Sequence, residues 1–217
     1  MIENKVIFES QAESIQPRTQ AQNRDYRRKC LLQASITTVA QLGVEGATIA
    51  KICAQAGASR GMSAHYFSSK EDLLAASLSF MFETATDIKL SISKQGDHSV
   101  KEKINRCACS SFSAPGFGWE LLAAWQAFIS ASRYTQRYKD IIKNHNQRTF
   151  EFYLTLFTLE QHQLRVSPTI ATQGLMALLD GLWSTIASQQ DSFSMENAML
   201  VCDCYISGCF RVESNLS

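Results

Sequence analysis

The sequence predicts an all-α fold: an N-terminal three-helix helix-turn-helix domain followed by a larger C-terminal helical domain. Three observations carry this expectation. Only 3 Pro and 10 Gly occur in 217 residues, which leaves room for long helices and argues against a many-stranded β fold. Hydrophobic residues make up 45% of the chain, enough to bury a real core. Those residues recur at three- and four-residue spacings over long stretches. With 19% charged residues and a formal net charge of +1, the chain is not disordered throughout, not collagen-like and not uniformly basic. No apolar run approaches the ~20 residues of a membrane helix. Residues 1–17 lack the apolar centre of a signal peptide. The expectation is a cytoplasmic protein with no membrane contact.

Each element follows in order. Residues 1–22 are polar, lack periodicity and read as a flexible arm. A first helix begins near Arg24. Leu31, Leu32, Ile36, Val39, Ala40 and Leu42 form its apolar stripe, and Gly43 closes it. Thr48 caps a short second helix whose inner face is Ile49, Ile52, Cys53 and Ala56; Gly57 ends it. Ser59 caps a third helix from Arg60 to His65. Ser69 with Asp72, or Ser68 with Glu71, resembles a capping box that starts a long fourth helix to about Ser91. Two short helices joined by a Gly-containing turn are the helix-turn-helix arrangement, in which the second short helix enters the major groove. The expected segments are thus 1–22, 23–70 and 71–217.

Charge follows the same division. Residues 18–70 hold Arg18, Arg24, Arg27, Arg28, Lys29, Lys51, Arg60 and Lys70 against Asp25 and Glu45, a net +6. Residues 1–17 carry −2 and residues 71–217 carry −3. A near-neutral whole hides a basic unit, the footprint of a nucleic-acid reader or an ordinary solvated face. The 7 cysteines form an odd set with no export signal, which points to free thiols in a reducing compartment. The Cys107/Cys109 and Cys202/Cys204 pairs are spaced two apart, so on a helix each pair faces opposite sides and does not gather as a metal site.

The run Ala47-Thr48-Ile49-Ala50-Lys51-Ile52-Cys53-Ala54-Gln55-Ala56-Gly57-Ala58-Ser59-Arg60-Gly61-Met62-Ser63-Ala64-His65-Tyr66-Phe67-Ser68-Ser69-Lys70-Glu71-Asp72-Leu73-Leu74 resembles the N-terminal signature of TetR-family regulators. The His65-Tyr66-Phe67 ending and the Ala47-Thr48-Ile49-Ala50 start look most like the BetI-type branch. Ala123-Ala124-Trp125 and Asp180-Gly181-Leu182-Trp183 echo it further along. The resemblance implies an all-helical homodimer that binds palindromic operator DNA and is released by a small-molecule effector, with no cofactor and no metal. It implies that Lys70 and the Tyr66 hydroxyl meet phosphates.

The residue types add to this. Thr48 can offer its helix's first amides to a phosphate. Arg60 opens the recognition helix, where a guanidinium can grip guanine O6 and N7. Ser59 and His65 can reach base edges or phosphates, and Gly61 lets the helix lie close. The Arg18–Lys29 cluster would follow the DNA as part of an N-terminal arm. Phe67 reads as core, Met62 as core or groove, and Lys51 as solvated or phosphate-facing. Ser63 stands where the family usually has a large aliphatic, and Ala64 where Tyr is common; the packing beneath the helix and one phosphate contact are therefore in question.

In the larger segment a Gly96-Asp97 turn precedes a helix to about Ser111. Helices follow over Trp119–Ala131, on to about Gln161, from Ser167-Pro168, and from about Ser194 to Val212. Gly174, Ala177 and Gly181 form a small-residue stripe; with Met199 and Ile206 of the last helix they are the expected dimer interface, or else they pack within one chain. The BetI-type branch is associated with choline. Trp125, Phe128, Tyr153, Asp180 and Trp183 could cage a quaternary ammonium, or be plain core. No nucleophile triad, phosphate loop or metal-spaced histidine set appears, so no enzyme is expected. The competing class is an all-helical ligand carrier or scaffold without specific DNA binding.

Overall fold

The computed structural model describes residues 19–188 and 194–211, and these are helical almost throughout. The elements are α1 (Gln20–Gly46), α2 (Ile49–Gln55), α3 (Arg60–Tyr66), α4 (Lys70–Ser93), α5 (Val100–Cys109), α6 (Trp119–Ala131), α7 (Gln136–Leu159), α8 (Pro168–Ser188) and α9 (Met195–Cys209). Short 3₁₀ turns follow α5 and α7. An isolated antiparallel bridge pairs Leu164 with Phe210. No helix is long and apolar enough to cross a membrane among the described residues.

Contacts divide the chain into two compact units. The first runs to Glu83 and resumes over Gly118–Ile142; the second is Thr84–Phe117 with the chain from Lys143 onward. The segment division expected from chain order cut near residue 70. The contact division instead groups α6 and the start of α7 with the N-terminal helices. The reason lies in the core of the first unit. Leu31, Leu32, Ile36 and Val39 of α1 are at most 2% exposed and pack with Leu121, Ala124 and Phe128 of α6. The Thr37 hydroxyl donates to Glu120 Oε1 at 2.7 Å, a second tie between the same two helices.

The helix boundaries have local causes. Helix α1 starts at Gln20, not near Arg24, because Thr19 and Gln22 form a reciprocal capping box. The last three residues of the expected arm, 20–22, are therefore helical; residues 1–18, including Arg18, lie outside the described residues. Gly43 sits inside α1 at φ 69° and ψ 172°, a left-handed break that only glycine adopts readily. At the start of α4 the expected capping box is shared between two serines. Ser69 Oγ accepts from the Asp72 amide, while the Asp72 carboxylate accepts from the Ser68 amide. Asp72 also pairs with Arg137 of α7 at 2.8 Å.

In the second unit Tyr153, Phe157, Leu175, Ile186, Cys202 and Ile206 are all fully buried. The turn after α7 is fastened to the end of α9 by backbone bonds from Arg165 to Cys209 and from Arg211 to Gln163, both 2.8 Å. Helix α9 ends at Cys209; the expected end at Val212 lies outside the described residues. The C-x-C pairs split as helical geometry requires: Cys107 and Cys202 are buried, Cys109 is half-buried and Cys204 exposed.

Candidate nucleic-acid interface

Helices α2 and α3 are joined by a four-residue turn. Gly57 takes φ 60°, and the Ala58 amide reaches back to the Cys53 carbonyl at 2.9 Å. Thr48 Oγ1 accepts from the Lys51 amide at 3.3 Å and Ser59 Oγ from the Met62 amide at 3.1 Å. Both hydroxyls are thus committed to holding their helices. Only one α3 side chain, Ser63, is buried. A serine there, where the family has a large aliphatic, leaves a small residue under the recognition helix.

The opposite face of α3 is open. Ser59, Arg60, Gly61, Ala64 and His65 are exposed and Tyr66 is half-buried. The space around a Cβ on Gly61 is free except for Ser59 Oγ at 3.9 Å, so nothing in the chain itself requires glycine there. Lys70 is half-buried, and its ammonium donates to the Glu45 carbonyl at 3.2 Å. Lys51 does the same to Gly46 at 3.1 Å. These two cations cap the end of α1, and Lys70 meets a phosphate only by sharing that bond.

The first turns of α1 complete the face. Arg24, Arg27, Arg28 and Lys29 are exposed. An open groove of about 600 Å³ runs between Gln20, Arg24, Asp25 and Arg28 of α1 and His65 and Tyr66 of α3. A neighbouring stretch of about 480 Å³ adds Asn23, Arg27 and Met62. Met62, ambiguous in sequence, lines the groove. The Arg28 guanidinium lies over the Phe67 ring at 5.4 Å, which joins α1 to the residue ending α3. The basic cluster is therefore helical surface, fixed beside α3. The part played by Gln20, Asn23 and Arg24 was signalled only by the overlooked Thr19–Gln22 capping pattern.

The other expected site residues are scattered. Phe128 is buried in the first unit with its ring edge-on to Tyr138 at 5.5 Å, and Trp125 packs against the same core. Tyr153, Asp180 and Trp183 belong to the second unit. Trp183 donates to the Ser111 carbonyl at 3.1 Å and stands edge-on to Phe117 at 5.8 Å. Asp180 is on the exposed side of α8, where partial burial pushes its carboxyl above the ordinary value. Of the expected dimer residues, Ala177 and Gly181 are exposed and Met199 is half-buried. Ile206 is fully buried in its own chain and has no surface left for a second subunit, which corrects its assignment. Gly174 is explained within the chain: a Cβ there would stand 2.0 Å from Tyr205 Oη.

The comparisons with known proteins now bear on this face. Residues 31–77 match the model for bacterial regulatory proteins of the tetR family, and residues 100–211 match the C-terminal model of BetI-type transcriptional repressors. The chain belongs to the TetR family, BetI type. It is a DNA-binding transcriptional regulator and not an enzyme. It is 28% identical over 183 residues to the HTH-type transcriptional regulator BetI of Serratia proteamaculans, spanning 83% of this chain and 90% of that one. It is 29% identical over 181 residues to the Brucella abortus BetI, spanning 83% and 89%. Among solved structures it shares its fold with a putative transcriptional regulator of Pseudomonas aeruginosa PAO1 (TM-score 0.74, 22% identity, 85% and 90% of the two chains). It also shares it with a putative regulator of Saccharomonospora viridis in complex with choline (TM-score 0.75, 18% identity, 87% and 100%).

Proposed function

We propose that this TetR-family regulator acts as a homodimer that represses transcription from a palindromic operator and leaves it when a small molecule binds. One observation carries the reading. The exposed face of α3, with Ser59, Arg60, Gly61 and His65, is flanked by the arginine-lined start of α1 and by Tyr66, Lys70 and the Thr48 cap. Arg60 is the base reader; Tyr66, Lys70 and the α1 arginines are phosphate groups that fix register. A partner made of chromosomal DNA places the protein in the cytoplasm.

The dimer rests on the outer sides of α8 and α9. Ile170, Ala177 and Gly181 of α8 and Leu200, Val201 and Cys204 of α9 are exposed at helical spacing. Small and apolar residues on two exposed stripes suit a four-helix interface between copies. Two recognition helices related by a two-fold axis then meet half-sites about one DNA turn apart.

The test is titration of the purified protein against duplex DNA from upstream of its own coding sequence, at two salt concentrations. The expected result is saturable binding to one palindromic site with a steep salt slope. The Arg60→Ala protein should lose specific affinity while keeping its nonspecific affinity. Weak binding, equal on every sequence, would reject the operator. Choline is the effector to add first, because one solved neighbour is a choline complex; Trp125, Phe128, Tyr153, Asp180 and Trp183 are the residues a quaternary ammonium would meet. Failure of choline to release the operator removes choline and leaves the repressor standing.

A further inference from the structure

Lys89 is a lysine in the wrong place for a solvated one. It lies in the last turns of α4 and is 8% exposed. It follows Ile88 and stands eight residues after the buried Met81, on the stripe that faces inward. An ammonium taken out of water is costly unless an anion meets it. Among the described residues, no carboxylate lies within ion-pair distance of it. Its surroundings are basic instead. His145 of α7 feels Lys89 and Arg148, and Cys107 of α5 feels Lys89 and Arg106.

A second group in the same interior is also unmet. The Tyr153 hydroxyl is enclosed and has no hydrogen-bond partner among the described residues. It shares Cys107 with Lys89 as a neighbour. The Cys107 thiol donates to the Lys89 carbonyl at 3.4 Å, which holds α5 against this turn of α4. His145 and Tyr153 are eight residues apart on α7 and so share one face of that helix. A buried cation, a neighbouring imidazole and an unsatisfied hydroxyl thus gather from three helices of one unit. Neutral residues alone would leave none of these debts of solvation.

The geometry points to a site for a small organic carboxylate in the second unit, with Lys89 as its counter-charge and the Tyr153 hydroxyl as a hydrogen-bond donor. The site rests on the reading that this unit holds the effector, and it does not depend on choline, which has no anionic group to offer Lys89. An ion pair formed out of water, with its oxygens also hydrogen-bonded, would favour an anion strongly over its neutral isostere.

The test uses calorimetric titration of the free full-length protein with benzoate and octanoate, each beside its amide, benzamide and octanamide. At least one anion should bind at least tenfold more tightly than its amide. Lys89→Met should erase that preference, and the near-isosteric Tyr153→Phe should weaken the anion several-fold. The unliganded Lys89→Met protein should also melt higher than the wild type, since it buries no unpaired charge. Equal binding of acid and amide, binding of neither, binding of choline alone, or a lower melting temperature for both variants would each overturn the site. None of these readouts involves DNA, so a failure here is separate from a failure to find an operator.

Discussion

Tyr205 occupies the space that a side chain on Gly174 would need. Its hydroxyl donates to the Ala171 carbonyl at 3.0 Å, one turn before Gly174 on α8. An added Cβ would also stand 2.8 Å from Tyr205 Cζ, so the ring as well as the hydroxyl would have to move. Gly174→Ala should therefore destabilise the second unit by about 1–3 kcal/mol, the usual cost of overpacking. Urea unfolding measures it. The double variant with Tyr205→Phe should recover part of the loss, because the nearest clashing atom is gone; a neutral Gly174→Ala would show that α8 and α9 are not this close. Lys89 gives a pH signature at the same scale. Desolvation by burial lowers its pKa from 10.5 to about 8. The folded state thus disfavours the charged form. The cost is fully present below pH 8, about 3 kcal/mol at roughly 1.4 kcal/mol per decade. It fades as pH rises from 8 towards 10.5, where the unfolded chain also loses its proton. Lys89→Met should accordingly gain stability at pH 7 and little of it above pH 10. Parallel wild-type and variant unfolding curves at every pH would refute the assignment.

Helix α3 is seven residues long, too short to hold itself without a cap and a packed neighbour. Ser59→Ala removes the acceptor for the Met62 amide. It should cost about 1 kcal/mol of local stability and weaken operator binding, because the recognition helix frays at the end that presents Arg60. Hydrogen exchange at Met62 and an operator titration read the two effects; unchanged exchange would mean that the turn at Gly57, not the cap, holds the helix. This element was legible because every signal was local. Thr48, Gly57 and Ser59 are cap and turn residues whose physics needs no knowledge of the rest of the fold, and Pro168 and Ser194 marked α8 and α9 for the same reason. The start of α1 was missed although Thr19 and Gln22 are an equally local signal, because the polar composition around them resembled an arm. Lys89 could not be read at all. A lysine on an apolar stripe is usually a solvated end of that stripe, and only the packing of α5 and α7 around it shows otherwise. The stripe of Gly174, Ala177 and Gly181 was read as one surface, yet spacing could not say that Tyr205 fills the first position while the other two stay open.

At the scale of the whole molecule, a net charge of +1 conceals +6 over residues 18–70, and this segment carries α2 and α3. Salt should therefore act on DNA binding far more than the overall charge suggests. Two such segments, one from each subunit, multiply the effect, because a palindrome is gripped only when both half-sites are engaged together. Gly181 separates this contribution from folding. Nothing in the chain lies within 4 Å of a Cβ placed on Gly181, and the residue is exposed on α8. Gly181→Glu should thus leave the subunit folded, with a melting temperature near that of wild type. In a dimer built on α8 and α9 the same carboxylate would face its symmetry mate and be driven from water. Light scattering should then report a monomer. Affinity for the full operator should fall on the order of a hundredfold, since linking two weak sites raises avidity by 10²–10⁴. Affinity for an isolated half-site should not change, and the salt slope should drop to about half, as half the phosphates are neutralised. A variant that stays dimeric and keeps full operator affinity would place the subunit interface elsewhere on the chain.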